Sequence, residues 1–491
     1  MKRLTAVLLL LSILGASFAG CSDNSANSDD AAANTNTPAA EEVVEEEETV
    51  LTDGLPETNM GGFELNILHH SQEWLAWANN VLEAEEQTGE ILNDAIYNRT
   101  DVLQERFSAK IVTETRSQVG ADVISQLAMS GDTSYDLCMT YDLWITGMIQ
   151  YLADMQTIPY ISLDQQWWNP YASSIFVIGG KQYAASGNFS LSVLSRAGGY
   201  AFNADIVNTL NLTSPYEYVK NNEWTIDNMY AMADAANLDI NGDGQTTNED
   251  QFGIESSVKE HFLRMLFGSE VALITQDENG YPLFNLPTDE VSVTKMQHIL
   301  DLSSNGGWYN TTNTNVDGTD AMMAGTFQNG RCLFVTSNPH SLSGIRDYDF
   351  NVGFVPVPKY DSTQERYYAP SFGAELSILP KAYDPAALEN VGILLEAMAF
   401  YTQQNIVPQY TETLVKSKYA RDAESAEMLS ICFDSIYFDF GINAWQEQVA
   451  AKLLKGSFVG LAGNFGSVLK GMQKSVDASI KTLAKQIEKA G

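Results

Sequence analysis

The stretch DINGDGQTTNEDQFG, residues 239 to 253, spaces oxygen-bearing side chains as a hard cation requires. Asp239, Asn241, Asp243, Gly244 and Asp250 stand at positions 1, 3, 5, 6 and 12 of a twelve-residue calcium loop. Gly244 suits the sharp turn, and Gln245 at position 7 would lend its backbone carbonyl. Sensor loops of this kind come in pairs. The nearest second copy, NTNVDGTD from Asn313, has Ala324 where an acidic closing ligand belongs. One isolated loop reads as a structural Ca2+ staple, with a metal-free Asn/Asp/Gly turn as the alternative. Asp250 is shorter than the usual closing Glu, so the expected affinity is weak, in the range of extracellular modules.

Catalytic patterns give less. The five histidines, His69, His70, His261, His298 and His340, include no HExxH pair, and no GxSxG, GxxxxGK or GxGxxG occurs. A glycosidase needs only two carboxylates, and 63 acidic residues cannot exclude a pair by counting. No acid stands out within a motif, so the sequence predicts a protein that is not an enzyme. A glycan-active enzyme is the alternative.

The formal net charge of −36 argues against nucleic acid, whose phosphates need a basic footprint. It also argues against attraction to an anionic membrane surface. At the start of the chain, Lys2 and Arg3 precede an apolar run from Leu4 to Leu14, the pattern of an export signal. The signal ends in Phe18-Ala19-Gly20-Cys21, similar to the lipobox of bacterial lipoproteins. In those proteins the cysteine becomes the first mature residue and carries the lipid. Phe18 departs from the usual Leu, and ordinary cleavage near Ala19 is the alternative. Residues 21 to 56, polar and then acidic through EEVVEEEE, are expected to form a disordered tether. The expected location is the outer face of a cell membrane. Cys138, Cys332 and Cys432 lack CxxC spacing and lie in apolar stretches, so buried free thiols are expected.

The elements that must position any site read as an α/β fold. FELNILHH (63–70) alternates as a strand does, residues 89–107 carry Leu92, Ile96, Leu103 and Phe107 at helical spacing, and KIVTE (110–114) is β-branched. A helix over 121–132 closed by Gly131 and a strand over 135–141 follow. Strands alternating with helices predict a parallel sheet, whose ligands gather beyond the carboxyl ends. Those ends carry His69, His70 and Trp74 after the first strand, and Tyr141, Asp142 and Trp144 after the third. A second α/β region begins near 189–203, with Thr225 capping a helix, strands over 330–337 and 351–358, and helices over 384–403, 422–438, 443–454 and 463–489.

At this point the chain resembles a known family, the extracellular solute-binding proteins (family 1) of bacterial ABC importers, and among them the carbohydrate-binding lipoproteins of Gram-positive bacteria. The matching residues are TGEILNDAIYNRTDVLQERFSAKI, QWWNPYASS, GKQYAASGNFSLS, the calcium-like loop, IRDYDFNVGFVPVPKYDSTQERYY and LVKSKYARDAESAEMLSICFDSIYFDFG. Together they cover roughly residues 60 to 445. Asn351-Val352-Gly353 departs from the Asp-Phe-Gly common there. The resemblance implies a two-lobed, type II periplasmic-binding-protein-like fold with a hinge between lobes and a helical C-terminal tail. It implies discontinuous lobes, about 57–188 with 372–420 and about 189–371 with 421–491. It further implies a monomer that hands a sugar or oligosaccharide to ABC permease subunits. Sugars present C–H faces to aromatic rings and hydroxyls to amides and acids. His70, Trp74, Tyr141, Asp142, Trp144, Asn188, Asn338 and Tyr368 lie at strand ends or crossings where such a cleft would open. Trp167 and Trp168 look like packing beneath the first lobe, and Trp224 like core. No Lys or Arg clusters there, which favours a neutral or weakly charged ligand over a strongly anionic one. A peptide or a polyamine is the other reading.

Overall fold

The first sheet is built where β-branched and aromatic runs alternate with amphipathic helices. In the computed structural model it comprises β1 (Glu64–His70), β2 (Lys110–Arg116) and β3 (Leu137–Tyr141), all parallel, with β1 in the centre. The structure describes residues 52–71, 82–304 except 246 and 248, 308–310, 325–414 except 343 and 345–347, 423–454 except 447, and 465–490. The expected lipid site Cys21, the tether up to residue 51 and Trp74 lie outside those residues, whereas Asp53 near the tether's end is paired with Arg106. Helix α1 (Ile91–Phe107) crosses from β1 to β2, burying Ile96, Leu103 and Phe107, and stops where Ser108 turns left-handed. Helix α2 (Ala121–Ser130) leads into β3 and ends at Gly131, whose φ of 70° costs glycine nothing.

The chain then crosses to a second sheet. Its strands are β4 (Gly199–Asn203), β5 (Phe252–Ser256), β6 (Trp308–Asn310), β7 (Cys332–Ser337) and β8 (Val352–Pro356), in the order β6-β5-β7-β4-β8. β5, β6 and β7 are parallel, and β4 and β8 run against their neighbours. Every residue of β5 and β7 is buried, as expected for strands covered on both faces. Helices α3 (Ile226–Ala236), α4 (Val258–Gly268) and α5 (Glu290–Ser304) belong to this region. Thr225 caps α3 by accepting from the Asn228 amide at 3.3 Å.

After β8 the chain returns. β9 (Glu375–Ile378) joins the first sheet antiparallel to β3, giving the order β9-β3-β1-β2. Helices α6 (Leu388–Tyr401) and α7 (Val407–Leu414) follow, fused through a π-turn at 402–406, and pack on α1. Helix α8 (Ala423–Asp434) then covers β8 of the second sheet. The last helix, α9 (Phe465–Ala490), packs against 149–151 after β3 and against 286–288 before α5. The fold is the expected two-lobed α/β architecture with a helical C-terminus. The helix expected over 443–454 shrinks to turns and a short helix at 450–453. No described helix is long and apolar enough to cross a membrane.

Two buried polar devices hold the first lobe. The Trp167 and Trp168 indole N–H groups donate to the two oxygens of Glu396, at 2.9 and 2.7 Å, which explains why both indoles are buried. Arg99, fully buried on α1, donates to the carbonyls of Leu82 and Phe189 and to the Thr402 hydroxyl. Trp224 is core, its N–H on the Pro356 carbonyl. Cys138, Cys332 and Cys432 are buried free thiols.

Candidate functional site

The two sheets turn the carboxyl ends of their parallel strands toward the same crossings. Ser337, ending β7, pairs with Gly199 at the start of β4. Just before Gly199, Ala197 bridges Ser371, and Gly198 donates to the Pro370 carbonyl. Four residues on from Ser371, Glu375 opens β9 opposite Tyr141, the end of β3. The strand ends of both lobes are therefore joined by a few extended residues.

Apolar Leu137–Met139 anchor β3 in the core, so the polar and aromatic residues after them emerge at this junction. A single turn, Asp142–Trp144, follows. Trp144, partly exposed, is held edge-on by two rings: His70 at 5.5 Å and Tyr141 at 5.6 Å between centroids. His70 is fully buried. Its Nδ1 accepts from the Val119 amide at 3.1 Å, and its backbone N–H donates to Glu375 Oε1 at 2.9 Å. Asp142 is also fully buried. It accepts from Leu143 N and Asn443 Nδ2 at 2.8 Å and from Gly373 N at 3.2 Å. Gly373 has φ +74°, and the Tyr141 hydroxyl lies 2.9 Å from where a Cβ would stand, so glycine is required there twice over. A cavity of about 330 Å³ begins two residues past this turn, lined by Thr146, Gly147, Trp445, Gln448, Ser479 and Gln486 among others, and neither Tyr141 nor Trp144 is part of its lining.

The predicted residues thus divide. His70, Tyr141, Asp142 and Trp144 come together, with Tyr141 and Trp144 presenting surface and His70 and Asp142 fixing them. Asn338, at the end of β7, accepts from the Ser341 amide and hydroxyl and caps the turn Pro339–Leu342. Tyr368 donates to Glu270 at 3.0 Å, and the Arg366 guanidinium lies over its ring and over that of Tyr171. Asn188, bonded to Asn169 and Gln403, lines a different and larger cavity of about 1080 Å³ with Tyr171, Phe433 and Asp434.

One cationic side chain lies close to this turn. Arg196, partly exposed, donates through Nε to the Phe372 carbonyl at 3.0 Å and acts electrostatically on Tyr141. A single Arg inside LSVLSRAGG carries no motif, so nothing local marks it.

Burial also sets the titration of this region. It pushes the Asp142 carboxyl up to about 7, against hydrogen bonds from Asn443, Leu143 and the 373–374 backbone, and Asp439 likewise to about 7. It pushes His69 and His70 down to about 4 and His261 to about 3. A raised carboxyl adds stability that is lost as pH rises through 7. A lowered imidazole adds stability that is lost as pH falls below its unfolded value of 6.5. Each group changes stability by about 1.4 kcal/mol per pH unit within its window. Asp136, Asp234, Glu255, Glu396 and Asp434 are raised by burial as well, so the sign is tested group by group. Compared with the parent, Asp142→Asn should lose less melting temperature between pH 5 and pH 7, because the destabilisation that sets in as this carboxyl ionises is gone. Parallel pH profiles for the two proteins would show that Asp142 titrates at its ordinary value.

In the calcium-like loop, Asp239 accepts from the amides of Gly242 and Gly244 at 2.7 and 2.9 Å, and Asp243 from that of Gln245 at 2.7 Å. Gly242 and Gly244 both have positive φ. Asp250 is 3% exposed: one carboxylate oxygen accepts from Thr247 N, and Oδ1 has no hydrogen-bond partner. Oxygen donors and an orphaned buried carboxylate oxygen suit a hard cation. Among the described residues, however, no three His, Cys, Asp or Glu side chains are placed to share an ion, so the loop would have to tighten around one.

No protein-family profile matches the chain, and no curated protein does. Solved structures do. M. tuberculosis UspC superposes with a TM-score of 0.56 at 12% identity, covering 85% of this chain and 100% of its own. The ABC substrate-binding protein Lmo0181 from Listeria monocytogenes, in complex with cycloalternan, gives 0.47 at 12% identity, over 87% of this chain and 99% of its own. The cyclic alpha-maltosyl-1,6-maltose binding protein from Arthrobacter globiformis gives 0.48 at 16% identity, over 88% and 100%. The likeness to UspC is one of fold, and it extends over most of this chain.

Proposed function

We propose that this protein captures a carbohydrate, of oligosaccharide length, between its two lobes and passes it unchanged to an ABC permease. The observation that carries the reading is the junction itself. Two α/β sheets aim their strand ends at shared crossings, and the side chains presented there are the Trp144 and Tyr141 rings, with the Arg196 guanidinium held nearby on the Phe372 carbonyl. Rings held edge-on by neighbours are rigid before any ligand arrives, so stacking a sugar face on them costs little ordering. The nearby carboxyls of Asp142 and Glu375 are buried, Asp142 behind Gly373 N and the Asn443 amide and Glu375 behind His70 N, so neither is presented at the surface where a glycosidic oxygen would lie. Calorimetry against a panel of mono- and oligosaccharides, with chromatography of the recovered sugar, tests both halves. Saturable binding with intact sugar is expected. Steady release of reducing ends would replace this reading with an enzyme.

We further propose that the 239–250 loop holds one structural Ca2+ through Asp239, Asn241, Asp243, the Gln245 carbonyl and Asp250. A ligand of the folded state stabilises by mass action, about 1 kcal/mol when free calcium is a few times Kd. Calcium should raise the melting temperature, Asp243→Ala should abolish the rise, and sugar affinity should stay nearly unchanged. An identical calcium response in that variant would remove the site from this loop.

A further inference from the structure

His69 and His70 end the same strand but point to opposite faces of the first sheet. His70 backs Trp144. His69 enters a cavity of about 530 Å³ near the start of α1, walled by Leu82, Leu92 and Ile96 and rimmed by Glu83, Glu85 and Glu90. The His69 side chain is 3% exposed, and among the described residues neither ring nitrogen has a hydrogen-bond partner. Leaving such a group unbonded in the interior is costly, so something with hydrogen-bonding capacity belongs there.

The lining specifies what. Burial holds the imidazole down to about 4, so at neutral pH it is uncharged and offers one lone pair and one N–H. Three exposed carboxylates ring the mouth, and the walls between are mostly aliphatic, with Asn93 and Thr115 as the other polar residues of the lining. An anion would meet those carboxylates. A bare metal ion does not fit either, because no three ligating side chains among the described residues converge. The nearby cation Arg99 is turned away, onto the carbonyl of Leu82. A positively charged nitrogen donor on a hydrocarbon stem suits the imidazole, the aliphatic walls and the carboxylates: one ammonium on the imidazole, the stem along Leu82, Leu92 and Ile96, a second ammonium among the carboxylates.

We propose that this cavity is a second ligand site, sharing no lining residue with the Tyr141–Trp144 surface, that takes an aliphatic diamine or polyamine. The proposal does not depend on the carbohydrate reading.

The test is calorimetry of the purified protein with putrescine and spermidine at low ionic strength, with and without saturating sugar. One saturable site is expected. Binding should weaken at least about tenfold in the variant carrying Glu83→Gln, Glu85→Gln and Glu90→Gln together, and also in His69→Phe with its fold checked by circular dichroism. Magnesium at equal charge should not displace the amine. Absence of saturable binding up to about 10 mM amine, unchanged binding in the triple variant, or displacement by magnesium would each overturn the proposal. The last two would reduce it to diffuse attraction by an acidic protein. Competition between amine and sugar would also overturn it, by placing the amine in the junction. Failure of the carbohydrate reading alone would leave amine binding intact.

Discussion

Trp144→Ala should weaken sugar binding by about 2–3 kcal/mol, roughly 30- to 150-fold, while the melting temperature of the free protein moves little. The ring is partly exposed, and its two edge-on neighbours, His70 and Tyr141, are anchored independently of it. Removing it therefore deletes contact surface more than core. Trp144→Phe should recover much of the loss, because a ring face remains. The contrast is Tyr171→Ala with Phe433→Ala in the 1080 Å³ cavity, which should leave affinity within a few-fold. Isothermal titration of the three variants with one oligosaccharide decides between the Trp144 surface and the larger cavity. If the pair at Tyr171 and Phe433 abolishes binding and Trp144→Ala does not, the sugar site lies in the larger cavity.

The second large effect is on stability. Arg99→Ala should cost about 3–5 kcal/mol in urea unfolding, enough to threaten a fold of ordinary stability. The guanidinium is wholly buried, and burial lowers it only to about 10, so it stays charged at neutral pH. It ties the segment before α1, the first crossing and the π-turn together through Leu82, Phe189 and Thr402. Losing it strands two buried carbonyls and leaves a void. Arg99→Met fills the space without the donors and should still lose about 2–3 kcal/mol. A methionine variant as stable as the parent would mean the guanidinium only fills volume.

Much of the fold was legible because its signals are local. β1, α1, β2, α2 and β3 fall within two residues of where alternation, helical spacing and Gly131 put them, and Thr225 caps α3 as its position implied. β9 was missed. Buried ELSI lies between Gly and Pro and pairs with a strand far back in the chain, which no local pattern reports. The site was legible in part for the same reason. Tyr141 and Trp144 follow directly from the end of a recognisable strand. The roles of His70 and Asp142 as buried supports depend on Val119, Gly373 and Asn443, partners 49, 231 and 301 residues away. Arg99, Arg196 and Glu396 were invisible because a lone charge in an apolar stretch looks the same whether it snorkels to solvent or is buried. WW at 167–168 could be read as packing, but its shared carboxylate partner could not.

The antiparallel pairing of β9 with β3 also sets a schedule. The first sheet cannot be completed until Glu375 has been made, 234 residues after Tyr141. At ordinary rates of synthesis that interval is roughly 10–50 s. During it β3 presents an unpaired edge, and the second sheet can assemble ahead of the first. Contacts of such long sequence separation slow folding from a full-length chain as well. A growing chain of this topology stays incomplete at its N-terminal lobe for most of its synthesis, a condition in which a translocation machine can still thread it and an edge-binding chaperone can still hold it.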